Sequence, residues 1–251
     1  MKHLKLCTAI IFICFEAFSA HADETISVKA GYATLTATGS LAVTSQGITG
    51  TNLSDSTLGL KRSDNITAEI ALQLGDGRLT ASYLPLNFSG SSTLGTAVHF
   101  NGQNFTAGTA ITSELKASII DIGYTYYLVN MDDLPSRLQF GIETALKYIQ
   151  LDSSLSGGGV VANSSVNIPL PTIGLRSRVA LADFIGLSGR VGYVGYNGNT
   201  FTDVDAQIEF SPLPTLGIYG GYRYLNIKAD SSGVVLDTQF KGPFAGLFFR
   251  F

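Results

Sequence analysis

Counted back from its last residue, this chain alternates. Phe251, Phe249, Leu247, Ala245 and Pro243 are apolar, and Arg250, Phe248, Gly246, Phe244 and Gly242 stand between them. A strand sends successive side chains to opposite faces, so the end of the chain carries an apolar stripe that runs to a terminal aromatic residue. On a water-exposed terminal strand such a stripe invites pairing with other chains. Facing hydrocarbon, it is stable. The stretch from Leu236 to Phe251 is therefore read as the closing strand of a barrel, with Leu247, Phe249 and Phe251 on the lipid side.

Nine further segments repeat the pattern. Their apolar faces are Ile26 to Tyr32, Ile66 to Leu74, Leu79 to Tyr83, Ile120 to Leu128, Leu138 to Tyr148, Ile173 to Leu181, Leu187 to Tyr193, Val204 to Phe210 and Leu216 to Tyr224, each taken at every second residue. One alternating segment is weak evidence, because soluble sheets alternate too. Ten in series, with hardly any charge on the apolar face, form the pattern of a membrane-spanning barrel, where a charge facing lipid near the midplane costs roughly 2–4 kcal/mol. Charged residues are only 14% of the chain, below the usual quarter. The expected fold is all-β: a transmembrane antiparallel up-and-down β-barrel of about ten strands, with eight or twelve as alternatives.

The start of the chain reads MKHLKLCTAIIFICFEAFSAHA. Lys2, His3 and Lys5 precede an apolar run from Ala9 to Phe15, and Ala20-His21-Ala22 fits a small-x-small cleavage site, so residues 1–22 are read as a secretory signal. Glu16 interrupts the run well short of the ~20 residues a spanning helix needs. Residues 23–251 then form a single domain. Both cysteines, Cys7 and Cys14, fall in the leader, which leaves no disulfide, thiolate metal site or cysteine nucleophile. Without Lys2, Lys5 and Glu16 the remaining 14 basic and 18 acidic residues give a net charge of −4, which argues against nucleic acid as a partner.

The connections alternate in length. Thr36–Asp64, Asn87–Ser113 and Asp152–Pro169 are long and rich in Gly, Ser, Thr and Asn, the composition of exposed loops. The Gly157-Gly158-Gly159 run is read as flexible loop. Gly75-Asp76-Gly77, Asn130–Arg137, Ala182–Gly186 and Ser211–Pro214 are short, with tight-turn chemistry. Long loops on one side and short turns on the other match an outer-membrane barrel with its long loops outside the cell. Tyr32, Tyr83, Tyr124, Tyr126, Tyr148, Tyr193, Tyr222 and Tyr224 fall on the outward faces, many near segment ends, as aromatic girdles do.

Several stretches together resemble a family of small Gram-negative outer-membrane β-barrel proteins (the outer membrane protein beta-barrel family). They are Phe88-Ser89-Gly90, Ser113-Glu114-Leu115 through Tyr126-Tyr127, Val194-Gly195-Tyr196-Asn197-Gly198-Asn199, Gly221-Tyr222-Arg223, and Phe240 to Phe251 with Gly242-Pro243. The resemblance implies a barrel in the outer membrane of a Gram-negative cell. It brings no catalytic residues.

The densest chemistry lies on the inward faces. Glu69, Glu143, Lys147, Arg176, Arg178, Arg190, Asp205, Glu209 and Arg223 are expected to form a lumen charge network, joined by Lys29, Arg78, Asp121 and Arg250. In a narrow, low-dielectric lumen charges must pair. Glu143 and Lys147 are placed beside Arg176 and Arg178, and Arg190 beside Asp205 and Glu209. A barrel near eight strands is filled by its own side chains, which favours a salt-bridged filling; a narrow charge-lined conduit is the alternative. Asp203 with Asp205, and Asp132 with Asp133, are read as rim residues in solvated turns, with divalent-cation binding as the other option. His99, the one histidine past the leader, lies in the second long loop with no Ser or Asp motif around it. The expectation is a non-enzymatic protein without cofactor or metal. An outer-membrane hydrolase remains a second alternative. Leu94, Val98, Phe100 and Phe105 in that loop either bind a ligand or cap the barrel mouth. The expected partners are outer-membrane lipid and lipopolysaccharide, and the barrel-assembly machinery through the C-terminal strand; the oligomeric state is left open.

Overall fold

The computed structural model describes residues 25–43, 50–131, 137–182, 184–213, 215–231 and 234–251. The leader and Asp132-Asp133 lie outside the described residues. Ten strands form the barrel: β1 (Ile26–Val43), β3 (Ser63–Leu74), β4 (Gly77–Thr93), β7 (Ala110–Asn130), β8 (Leu138–Gly157), β9 (Val160–Ala182), β10 (Ile185–Tyr196), β11 (Asn199–Phe210), β12 (Leu216–Ser231) and β13 (Val234–Arg250). The excursions between them hold a two-residue strand β2 (Leu53–Ser54), a one-turn helix α1 (Asp55–Leu58) and a small hairpin, β5 (Val98–Phe100) and β6 (Gln103–Phe105). Barrel neighbours are antiparallel, and β13 returns to pair with β1 from Ser27↔Arg250 to Val43↔Val234. The amides of Thr25 and Ile26 donate to the Phe251 carbonyl at 2.8 and 3.0 Å, so the last residue closes the seam. Closure leaves no free edge inside the hydrocarbon, where an unpaired backbone group costs several kcal/mol.

The strands are longer than their sequence segments, and the long ones have two halves of opposite polarity. In the lower half, on the side of the termini and short turns, apolar side chains point out and polar ones in. In the upper half the phase reverses. In β8, Ile142, Leu146 and Tyr148 are exposed while Glu143 and Lys147 are buried; beyond Tyr148, Ile149, Leu151 and Leu155 are buried and Gln150 faces out. β4 switches between Tyr83 and Leu84, β12 between Tyr224 and Leu225, and β1 between Tyr32 and Ala33. Tyrosines thus mark an upper line around the wall. The outward apolar stretch beneath it, Leu138 to Tyr148 in β8, matches the ~9–11 residues a tilted strand needs to cross a bilayer.

This reversal corrects the connections expected from the sequence. Much of Thr36–Asp64, Asn87–Ser113 and Asp152–Pro169 is strand, standing above the tyrosine line with polar side chains toward solvent and apolar ones inward. The Gly157–Gly159 run is a tight hairpin turn. Gly157 pairs with Val160, and Gly158 and Gly159 take φ of 60° and 81°, the positive values that a two-residue turn requires.

The upper lumen is a hydrophobic core of Leu35, Leu86, Phe88, Leu115, Ile149, Leu151, Phe201 and Phe240, among others. Phe88 stacks on Phe240 with ring centroids 5.4 Å apart. The β5–β6 hairpin tucks Val98, Phe100 and Phe105 into this core together with Leu94. It is held by Thr51 N–H donating to the His99 carbonyl at 2.8 Å and Asn101 N–H donating to the Val43 carbonyl at 3.2 Å. The four apolar loop residues therefore serve as a cap.

The seam is packed by aromatics lying over glycines. Gly217 and Gly221 of β12 pair with Phe248 and Phe244 of β13, and Tyr219 between them pairs with Gly246, which itself pairs with Gly31 of β1. A Cβ on Gly217 would lie 2.2 Å from the Phe248 ring, and one on Gly31 would lie 2.3 Å from the Tyr219 hydroxyl. Tyr219 thus reaches across β13 to β1. It is flanked by Phe244 and Phe248, with ring centroids at 6.0 and 6.5 Å.

Candidate functional site

Below the hydrophobic core the lumen is crossed by charges from most of the barrel strands. Inward positions of the lower half must be polar because the outward ones are apolar, and alternation along each strand fixes which residues they are. Arg190 of β10 and Asp203 of β11 form the centre. The Arg190 guanidinium donates to Asp121 at 2.9 Å, Asp203 at 3.1 Å and Asp205 at 2.9 Å, with Glu143 at 3.7 Å. Asp203 also receives Arg223 at 2.9 Å and Lys147 at 2.9 Å. Lys147 bonds Asp121 as well. Glu143 takes Arg176 at 2.7 Å and the Thr125 hydroxyl at 3.2 Å.

A second knot lies nearer the lower end around Glu209. It receives Lys29 at 2.9 Å, Arg178 at 3.5 Å, Arg250 and, as a neutral donor, Gln207 at 2.9 Å. Lys29 lies 5.3 Å from the centroid of the Tyr219 ring, which ties this knot to the seam. Arg78 donates to Ser27 at 3.0 Å. Glu69 faces Lys29 in the β1–β3 ladder and lines, with Arg78, Arg176 and Arg190, a cavity of about 40 Å³.

Every residue expected in the network faces this lumen, and the adjacent-strand pairs Glu143–Arg176 and Arg190–Asp205 are present. Other placements differ. Arg178 leaves Glu143 and Lys147 for Glu209, which is held by Lys29 and Arg250 rather than by Arg190. Lys147 turns from the arginines of β9 to Asp121 and Asp203. Asp203, assigned to a solvated rim turn, is 1% exposed at its side chain and receives three cations. The turn above it is Asn197 and Gly198 alone, because β10 ends at Tyr196 and β11 starts at Asn199. Asp203, Asp205, Gln207 and Glu209 share one face of that strand, so the alternation carried two residues further back assigns Asp203 correctly. Leu247, Phe249 and Phe251 lie on the outer face as expected.

The gaps within this charged layer are small. Three cavities lined by its side chains measure about 40, 40 and 60 Å³, and a single water needs roughly 10–15 Å³ of such space. Among the described residues, no group of three or more His, Cys, Asp and Glu side chains is arranged to hold a metal ion. His99 is exposed on the cap hairpin, with its Nδ1 against Asn104 Oδ1.

A closed ten-stranded barrel with a tyrosine line, an apolar outer band and a polar lower lumen has the fold of an outer-membrane β-barrel protein. A solved structure shares that fold. The outer membrane protease OmpT from Escherichia coli superposes with a TM-score of 0.60 at 14% identity, covering 94% of this chain and 99% of that one. Neisserial surface protein A gives 0.40 at 13% identity, over 93% of this chain and 100% of that one. The transport unit of the Escherichia coli autotransporter AIDA-I gives 0.47 at 11% identity, over 95% and 94%. No protein-family model and no curated protein matches the chain.

Proposed function

We propose that this protein resides in the outer membrane of a Gram-negative cell, exported by its leader, as a non-enzymatic barrel with a sealed lumen whose upper, extracellular half serves binding. The observation that carries the reading is the ion-pair layer across the lower lumen. Most of its acids and bases, Glu69 and Arg78 excepted, are engaged with one another at contact distance, and the cavities among them measure only about 40–60 Å³. A charge-lined conduit would leave its charged groups facing a continuous aqueous path. The same pairing argues against catalysis there, because the carboxylates are held by cations rather than turned toward a space that could receive substrate. Its partners on this reading are outer-membrane lipid and lipopolysaccharide around the barrel, and the assembly machinery that engages the strand ending at Phe251.

Planar-bilayer recording from purified protein tests the seal. The expected result is no steady unitary current. Regular openings would support the narrow pore instead. Of the inward charges named above, eight are basic (Lys29, Arg78, Lys147, Arg176, Arg178, Arg190, Arg223, Arg250) and six acidic (Glu69, Asp121, Glu143, Asp203, Asp205, Glu209), so such openings should favour anions. Turnover in a lipid or peptide hydrolase screen that is lost in His99→Ala would return the enzyme reading.

A further inference from the structure

The wall of this barrel has a notch. β9 pairs with β10 only as far up as Ile173↔Tyr193. Above that level β10 ends at Tyr196 and turns through Asn197 and Gly198, with φ of 50° and 80°, into β11. β9 runs on to Val160, paired on its other side with β8 all the way. At ~3.3 Å per residue, roughly 40 Å of the β9 edge turned away from β8, Val160 to Thr172, pairs with no barrel strand.

The sequence accounts for where the ladder stops. Pro169 and Pro171 stand opposite Tyr148 and Leu146 in an unbroken β8–β9 ladder. Prolines are tolerated there because the odd-numbered residues of this stretch direct their backbone groups away from β8. Asn163, of the same parity, shows this directly, since its carbonyl accepts from the Asn101 side chain on the cap hairpin. The missing donors therefore fall on the edge where β10 would have continued, and proline on an exposed edge disfavours the addition of a further strand.

Behind the notch lies a cavity of about 390 Å³, within the ~300–1,000 Å³ range of small-molecule sites. Its back wall is Leu151, Phe201, Ile227 and Leu236, all buried. Its near wall is Val166, Ile168 and Leu170, which point inward and are half-exposed, since none of the described residues fills the space before them. Asn167, Asn199 and Lys228 stand at the mouth. The mouth opens at and just above the tyrosine line, level with Tyr148 and Tyr193, where acyl chains meet headgroups.

We infer that this cavity is a binding site for one long acyl chain, entering sideways through the notch with its polar head at Asn167, Asn199 and Lys228. The apolar walls select a hydrocarbon chain. Pro169 and Pro171 remove the donors at the foot of this edge, beside the cavity mouth, which disfavours a β-strand of another protein or of a second copy as the occupant. The inference rests on the barrel spanning a membrane and gives its upper half a ligand class.

The chain has no tryptophan, so Tyr196→Trp at the cavity rim is a sole reporter. The protein is reconstituted into phosphatidylcholine vesicles, and quenching is read in two arms: dibromostearic acid added from solution, and vesicles made with phospholipid brominated on its acyl chains. Ala229→Phe, and Val194→Phe should the first not fold, fill the cavity; Thr38→Phe on the outer face is the control. Folding of each variant is checked by heat-modifiability and the seal by conductance, so failure of the barrel or of its closure is seen apart from failure of the site. The expected result is saturable quenching by dibromostearate that stearate competes away and that falls at least about tenfold in apparent affinity with the filling variants. Quenching by the brominated phospholipid that the filling variants remove identifies the chain as that of a resident membrane lipid and also supports the site. Quenching unchanged by the filling variants in both arms, or none in either, overturns it.

Discussion

Asp203→Ala is expected to destabilise the folded barrel by about 3–5 kcal/mol, the range for removing one partner from a buried charge cluster. Among the described residues, Asp203 alone joins Lys147, Arg190 and Arg223; without it Arg223 loses its carboxylate partner, and Lys147 and Arg190 are left to share Asp121, with Asp205 also on Arg190. Asp203→Asn should behave almost as badly, since it restores the shape without the charge. The comparison is Asp237→Ala, which removes the partner of Lys228 in an ion pair whose two side chains are about half exposed; there the expected cost is below about 1 kcal/mol. Urea titration in detergent micelles, followed by loss of the heat-modifiable form, measures both. A cost for Asp203→Ala no larger than that for Asp237→Ala would mean the lower lumen is wet enough to screen its charges, and the sealed-barrel reading would go with it.

The difference between these two aspartates was only partly visible in the sequence. The lower halves of all ten strands were legible because one rule, apolar out and polar in, holds wherever the wall faces hydrocarbon. The upper halves obey the opposite rule. Stretches such as Asn163-Ser164-Ser165 in β9 carry short polar side chains outward and little apolar bulk inward, so they share the composition of loops. What makes them strands is the neighbour each has in register, which a single segment does not reveal. Asp203 was missed because it lies close to the line where the rule changes. The cross-lumen contacts were hidden for a different reason. Adjacent-strand logic finds Glu143–Arg176, but Lys29–Glu209 and Lys147–Asp203 join strands that are not neighbours, and their meeting depends on how narrowly the barrel closes. The notch depends on Pro169 and Pro171, whose meaning follows only once their backbone is known to face away from β8.

Gly246→Val is expected to have the second large effect, at the seam where the first and last strands meet. A side chain there would begin 2.2 Å from the Ala30 carbonyl oxygen and 2.5 Å from the Gly31 Cα, both backbone atoms that no rotamer change can move. Overpacking of this kind costs ~1–3 kcal/mol in ordinary cores and occasionally more. Here the displaced element is the ladder that removes the barrel's edges, so the expected result is loss of the heat-modifiable band rather than a shifted midpoint. Gly31→Ala is milder, because its nearest obstacle is the Tyr219 hydroxyl at 2.3 Å, ahead of the Ala245 carbonyl at 2.8 Å. Removing that hydroxyl with Tyr219→Phe should recover a larger part of the cost of Gly31→Ala than of Gly246→Val, because at Gly246 the hydroxyl, at 2.7 Å, stands behind two nearer backbone atoms. The double-mutant cycle isolates this coupling, since residues in contact depart from additivity by 0.5–3 kcal/mol while separate ones do not. If Gly31→Ala costs the same with and without the Tyr219 hydroxyl, the tyrosine does not bridge β13, and the seam is held by its backbone ladder and the two flanking phenylalanines alone.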